Sequence, residues 1–322
     1  MKTRLRFGYL LPLAIILVWG VWVLLKGEDT LRETTFTVFM FIGMASSLNI
    51  LLGYTGYVSF GHIVFFGLGG YFGFYLVSQH NLALIPASLA GGALSGALAG
   101  LLGLAVLRLR GAYFALATIG INEAARAFVS NFGPFGGATG LFVQFSAYEA
   151  YGGAGPALWT TFIYLWLVTL VVLLASSLVK SSRFGLGLMA IREDEDAAMV
   201  MGVKAPRAKT IAFMISAFFP GMIGTLYFFK NGNVEPGDAF QLHMSIEALV
   251  MIMLGGMGTV FGPMLGAVTY QGLRGYLLTS PIFKSLHLAV SGVFLLVIIL
   301  FIPAGVVGWI RHRIPLTRKL LE

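Results

Sequence analysis

Side chains capable of chemistry are few in the apolar stretches of this 322-residue chain, and they lie in small groups. Glu123 and Arg126 are three residues apart, which places them on one face of a helix, near the end of the apolar segment 111–129. Two readings fit that spacing. The pair is a local ion bridge at a helix end, or Glu123 and its neighbour Asn122 line a polar path and meet an ammonium group. Ionisable groups inside apolar segments are energetically expensive and so are candidates for function. Glu247 enters the segment 244–259 near its start. A carboxylate there can cap the positive end of a helix or face the same path. Ser59 and His62 abut a glycine-rich break, where a lone histidine is more often a satisfied packing residue than a ligand or proton carrier. No catalytic constellation stands out. The chain has no Cys, no His-Glu-x-x-His, no Gly-x-Ser-x-Gly and no Gly-x-x-x-x-Gly-Lys-Ser/Thr. Those absences exclude a thiolate metal site, a disulfide framework and the usual P-loop cradle for nucleotide phosphates. We expect no catalytic residue, no metal site and no cofactor held by this chain.

A different kind of chemistry concentrates in Lys180–Lys209, which holds ten of the thirty-four charged residues. The stretch is too charged to enter a bilayer. Leu188, Met189, Ile191, Met199 and Val200 gather along one side of a helix, interrupted by Arg192, Glu193, Asp194, Glu195 and Asp196. Gly202 follows where a helix C-terminus favours a left-handed residue, and Pro206 opposes simple continuation. The pattern predicts one short helix, from Leu186 to Met201, between two spans. It is a solvated connector or a docking surface. In the second case the small residues Ala197, Ala198 and Gly202 admit a partner close to the backbone, with Arg192, Arg207 and Lys209 as rim contacts.

The elements that position these groups are membrane spans. The chain is 58% hydrophobic and 11% charged, with mean hydropathy +0.88, against roughly 25% charged in a soluble domain. Apolar segments recur at 8–25, 35–53, 58–78, 82–106, 111–129, 158–179, 210–229, 244–259, 262–278 and 285–305. The first is long enough to span and lacks a small-x-small cleavage site, so it reads as a retained helix rather than a signal peptide. If all ten cross, both termini share one side with 15 of the 21 Lys and Arg residues, including the 180–209 loop. The positive-inside rule assigns that side to the cytoplasm. The longest loops opposite are 130–157 and 230–243, the first rich in glycine and aromatics and adaptable in shape. The net charge of +8 belongs to this topology and calls for no nucleic acid. The expected architecture is an all-α polytopic transmembrane bundle, one domain over residues 1–322, with about eight to ten spans in a lipid bilayer.

Two glycine-rich segments complicate the span count. Residues 53–61 contain Gly53, Gly56 and Gly61, and residues 255–262 contain Gly255, Gly256, Gly258 and Gly262. They are tight turns or breaks within a helix, and their similarity suggests an internal pseudo-repeat of the kind transporters use. Gly92, Gly96 and Gly100 recur every fourth residue, a face for close helix packing.

At this point the residues resemble a known family. Asp196-Ala197-Ala198 followed by Gly202 resembles the EAA---G motif of ABC-importer permeases, with Asp in place of Glu. Gly53-Tyr54-Thr55-Gly56, Val58 to His62 and Phe65-Phe66-Gly67 resemble branched-chain amino acid permeases of the LivM kind. Arg110 to Thr118, Ala190 to Glu195, Ser245-Ile246-Glu247 and Leu254 to Pro263 continue the match in order. The resemblance implies that Arg183 to Gly202, with Arg183, Arg192, Glu195, Asp196, Ala197, Ala198 and Gly202, couples the spans to an ATPase. It also implies a second homologous permease, two cytoplasmic ABC ATPase subunits that carry the ATP and Mg, and a periplasmic solute-binding protein. A prokaryotic inner membrane is the implied location. Branched-chain or other apolar amino acids are the implied cargo, with urea or a short amide as the alternative. An ion-coupled secondary transporter is the competing class.

Overall fold

A computed structural model describes residues 7–279, together with 292, 307 and 308. The helices are α1 (Phe7–Lys26), α2 (Asp29–Thr55), α3 (Ile63–His80), α4 (Leu84–Val106), α5 (Ala112–Asn131), α6 (Phe145–Glu149) and α7 (Ala154–Ser181). They continue as α8 (Arg183–Glu193), α9 (Glu195–Val200), α10 (Ala205–Asn231), α11 (Pro236–Ala239), α12 (Leu242–Gly255) and α13 (Phe261–Thr279). Nine of the ten apolar segments read from the sequence are therefore helices, and the tenth, 285–305, lies outside the described residues. Among the described residues, α2, α4, α7, α10 and the stretch Pro236–Gly255 are long and apolar enough to cross a membrane. The protein is an all-α, multi-pass membrane bundle.

The longest of these helices, α2, α7 and α10, have 27, 28 and 27 residues, or about 40 Å each at 1.5 Å per residue. Most of α2 is buried, so it forms the axis of the bundle. It packs against α7, α10, α12 and α13, and α10 in turn packs backbone to backbone with α3 and α4 on glycine faces. A Cβ placed on Gly91 of α4 would overlap the carbonyl of Gly69 in α3, and one on Gly224 of α10 would overlap that of Phe66. Without a hydrophobic gain between helices in lipid, such close backbone approach supplies the dispersion contacts that hold spans together. Ser95 adds a hydrogen bond from its hydroxyl to the Phe65 carbonyl, at 2.8 Å. Gly92 packs with similar closeness against the Phe218 carbonyl, whereas Gly96 has ordinary contact distances.

At one end of the bundle the loops 130–157 and 230–243 are stitched together. β1 (Leu141–Phe142) pairs antiparallel with β2 (Asn233–Val234), Leu141 opposite Val234. The Val143 amide donates to the Gly232 carbonyl and the Tyr148 hydroxyl to the Phe229 carbonyl. The first loop, expected to be adaptable, is instead anchored by a small ladder and by α6. Gly136 and Gly140 in this loop, and Gly232 in the other, supply the positive φ angles that the tight turns need.

The glycine contacts generate a paired prediction. Gly91→Ala must displace the α3 backbone and should lower stability by about 1–3 kcal/mol. Gly96→Ala has room for its methyl group and gains helix propensity, so it should be neutral or stabilising. Thermal unfolding of the two purified variants in detergent separates them.

Candidate functional site

The charged loop folds into two helices rather than the single one expected. Ser182 caps α8, accepting a hydrogen bond from the Gly185 amide at 3.1 Å. At Asp194 the chain becomes extended (φ −158°, ψ 112°), and its carboxylate accepts from the amides of Asp196 and Ala197, both at 2.9 Å. An N-cap inserted in the middle of a helical pattern starts a new helix there. The short second helix, α9, closes as expected: Gly202 takes φ +90° and its amide donates to the Met199 carbonyl. Ala198 packs inward beneath α9, while Met199, Val200 and Met201 stand exposed beside Ala197 and Gly202. Arg183, at the start of α8, is also exposed.

The acidic base of α9 is held by an ionic network. Lys209 of α10 is buried, at 3% exposure, and its ammonium has three acceptors. They are Glu195 Oε1 at 2.7 Å, the Tyr57 hydroxyl at 2.7 Å and the Leu107 carbonyl at 2.9 Å. Tyr57 in turn donates to Glu195 Oε2 at 2.9 Å. On the exposed side Arg110 grips Asp196 with two hydrogen bonds of 2.8 and 3.1 Å, a bidentate geometry. That guanidinium holds the Asp196 carboxyl below the usual carboxylate range. Lys209 is thus too buried to be a rim contact for a partner, whereas Arg192 is exposed. Lys209 neutralises Glu195 inside the protein, and Arg192 donates to the Gly53 carbonyl at 2.8 Å. Arg207 remains exposed.

Arg192 points to the place where the two glycine-rich segments meet. Both are breaks between helices. Gly56 ends α2 with φ +78°, and Gly256 follows α12 with φ +124°. Asn49 of α2 binds them together: its amide donates to the Thr259 carbonyl at 2.9 Å, and its oxygen accepts from the Gly258 amide at 3.0 Å. Side chains at Gly53 or Gly258 would block this approach, because each faces the other's backbone. Gly61 lies against the Thr118 carbonyl, and Gly255 against Gly262. The amides freed at each break find hydroxyl acceptors, Thr118 for Phe60 and Gly61, Ser245 for Ile63, and Thr259 for Gly262. The site is a rigid knot of broken helices with a small exposed helix mounted beside it.

This arrangement can be set against known proteins. The profile described as "Branched-chain amino acid transport system / permease component" matches residues 31–302. The chain belongs to that family. It is 31% identical over 284 residues to the branched-chain amino acid permease LivM of Salmonella typhimurium, covering 80% of this chain and 65% of that protein. LivM of Escherichia coli K12 is 31% identical over 295 residues, 83% of this chain and 67% of that protein. The chain thus spans about two thirds of the length of these relatives. LivH of Escherichia coli K12, another permease protein, is 28% identical over 145 residues, 45% of this chain and 46% of its own length. No solved structure matches.

Within this family member the residues proposed to line a path do not converge. His62 is fully buried, and its Nε2 donates to the Ser216 carbonyl at 3.0 Å. That carbonyl sits four residues before Pro220, which has no N–H to offer it, so His62 repairs a proline gap in α10. Ser59 is buried with its hydroxyl unpaired, and Asn122 donates to the Phe240 carbonyl at 3.0 Å with its own oxygen unpaired. Glu123 is half exposed and pairs with Arg126 at 2.7 Å. Glu247 lies more than a turn inside α12, so it is not a terminal cap; it is buried and pairs with Arg274 of α13 at 3.1 Å. Asn49 escaped the sequence reading, although a lone amide between Leu48 and Ile50 is a signal, since a buried amide needs partners.

Two predictions follow from these bonds. Asn49→Leu leaves the Gly258 amide and Thr259 carbonyl unpaired and should cost about 2–4 kcal/mol, with Asn49→Asp intermediate, measured by thermal unfolding. Asp194→Ala should weaken the start of α9 by about 1 kcal/mol and speed hydrogen exchange at Asp196 and Ala197, while Asp194→Asn preserves the cap.

Proposed function

We propose that this protein is the permease subunit of an ATP-driven ABC importer that carries branched-chain or other apolar amino acids across a prokaryotic inner membrane. The observation that carries this reading is α9, an exposed helix of small and apolar residues at the end of a family permease bundle, fixed at its base by four charged side chains. A surface formed by Ala197, Val200, Met201 and Gly202 lets another protein approach its backbone and bury apolar side chains. In this reading α9 docks into a groove on one of two cytoplasmic ABC ATPases. ATP and Mg reside there, and this chain catalyses nothing. Both termini and the 180–209 loop face the cytoplasm. The stitched loops at the opposite end receive a periplasmic solute-binding protein.

A second, homologous permease completes the pore. The outer face of α5 supports this. Tyr113, Leu116, Glu123 and Phe128 are all exposed on one span, and the Glu123–Arg126 pair is half open. Charges at membrane depth are expensive against lipid, so this face belongs against protein or an aqueous path. Glu123 then stands where an amino acid's ammonium group would pass, with Asn122 buried behind it on the inner side of α5.

The test begins with isolation of the tagged chain from its native membrane and mass spectrometry of its companions. Two ATPases with P-loops and a second permease are expected, and their absence overturns the reading. In cells, Gly202→Val should abolish uptake of labelled leucine without loss of membrane insertion, because a β-branched residue is strained at φ +90°. Normal uptake in that variant counts against docking through α9. Uptake of urea in preference to leucine replaces the cargo and leaves the ABC assignment intact.

A further inference from the structure

We infer that Lys209 and Tyr57 are positioning residues that make α9, the turn between α4 and α5, and the connection from Gly56 to His62 move as one body. On the docking role proposed above, on which this inference rests, displacement of α9 is delivered directly to the start of α5 and to the first glycine break.

The chain itself holds α9 loosely. It enters through one extended residue, Asp194, and leaves through the left-handed Gly202. With only six residues, α9 is oriented by its side-chain contacts. Ala198 sits in one buried apolar cluster with Leu188 and Ile191 of α8 and Ile50 and Tyr54 of α2. The buried polar contacts meet at Lys209, whose acceptors come from three separate elements: Glu195 of α9, Leu107 at the end of α4, and Tyr57 beyond the end of α2. Moving any one element away strips an acceptor from a buried ammonium, which is far more costly than loosening an exposed pair. Tyr57 closes the triangle. Its hydroxyl donates to Glu195, its ring lies 4.6 Å below the ammonium, and its edge meets the Phe114 ring of α5 with centroids 5.1 Å apart. Arg110, at the start of the α5 turn, adds the outer clamp on Asp196.

A second set of contacts defines what this body moves against. Arg192 ties α8 to the Gly53 carbonyl, and the Tyr54 hydroxyl bonds Ser176 of α7. Therefore α8 belongs with the ends of α2 and α7. The boundary between the two bodies passes through Asp194 on one chain segment and Gly56 on the other, where the backbone is extended or left-handed. It also crosses the apolar cluster that joins Ala198 to Ile50, Tyr54, Leu188 and Ile191, so relative movement slides that contact. Between them lies a cleft of about 530 Å³, walled by Ile191 and Arg192 on one side and by Arg110, Gly111 and Ala115 on the other. It leaves room for the bodies to shift.

The absence of cysteine allows a clean test with paired spin labels on the full purified chain. Labels at Val200→Cys and Tyr113→Cys, both on exposed sites, report the distance from α9 to α5, and labels at Leu178→Cys and Leu186→Cys report α7 to α8. The expected result is a narrow first distance that broadens in Tyr57→Phe and in Lys209→Met, while the second stays narrow and shows an intact fold. In the unlabelled complex with its ATPases, Tyr57→Phe should reduce substrate transported per ATP about tenfold, the scale of one hydrogen bond to a charged group, while ATP hydrolysis continues. Tyr57→Phe removes one oxygen and keeps the ring, so it decides the matter if Lys209→Met fails to fold. A first distance as narrow in Tyr57→Phe as in the parent, or an unchanged transport ratio, overturns the inference. If no ATPase accompanies the parent chain, the docking proposal fails on its own, and the label distances still decide whether α9 and α5 form one body.

Discussion

Peptide groups released where a helix breaks inside a membrane protein have no water to turn to, and unpaired groups in lipid are costly. Much of this structure answers that constraint. The breaks after α2 and α12 free amides and carbonyls, and, apart from the local Thr259–Gly262 bond, the side chains that pair with them come from elsewhere in the sequence. Asn49 serves Gly258 and Thr259, Thr118 serves Phe60 and Gly61, Ser245 serves Ile63, and Arg192 serves Gly53. His62 does the same for the carbonyl that Pro220 orphans. Because these bonds cross between the two glycine-rich segments and the charged loop, the three regions form one knot. Glycine at the contact points is a steric requirement, since Gly53 and Gly258 face each other's backbones.

The knot explains which parts of the fold could be read from sequence. Span positions followed from hydropathy, because lipid imposes length and apolarity locally. Gly202 was legible for the same reason, as a cap is a property of a few adjacent residues. The split between α8 and α9 was harder. Asp194 lies in a run of four acidic residues, and only its extended backbone distinguishes it as a cap from its neighbours. Least legible were the long-range partners. Lys209 looks in sequence like one more cation in a charged loop. Its burial follows from a tyrosine 152 residues earlier and a carbonyl 102 residues earlier, which hydropathy does not connect. Glu247 misled in the opposite direction, since a carboxylate near a helix start suggests a cap and the true partner, Arg274, sits on the next helix.

The placement of charge gives the bundle two firm ends and a more open flank. Among the described residues the three buried charged side chains, Arg32, Lys209 and Glu247, each have an opposite charge within 3.1 Å. Removing one member of such a pair is far more damaging than the pair is stabilising, so these sites fix geometry rather than supply net stability. The far end repeats the device: Arg32 pairs with Asp29 and Glu33, and Lys230 joins Glu33 from α10. The Glu123–Arg126 pair is the exception. It is half exposed on α5, a helix with four buried residues, whereas most of α2 is buried.

That contrast bears on mechanism. A transporter driven by its own ion gradient needs a charge whose partner can be exchanged for an ion or proton within the bundle. The buried charges described in this chain are instead satisfied by protein, and two of the three hold helices to each other. What the structure leaves adjustable is backbone direction at Gly56 and Asp194, beside a cleft, under a helix whose tip is exposed. Force applied at that tip reaches α5 through Glu195, Lys209 and Tyr57 without passing through the knot at Asn49. A helix clamped at Lys209 beside a knot at Asn49 suits a permease that is driven from outside its own chain, because the work can be applied at one surface and expressed at another. In the proposed importer, α5 is the surface where it is expressed, and its open flank is the side on which a second permease would complete the path.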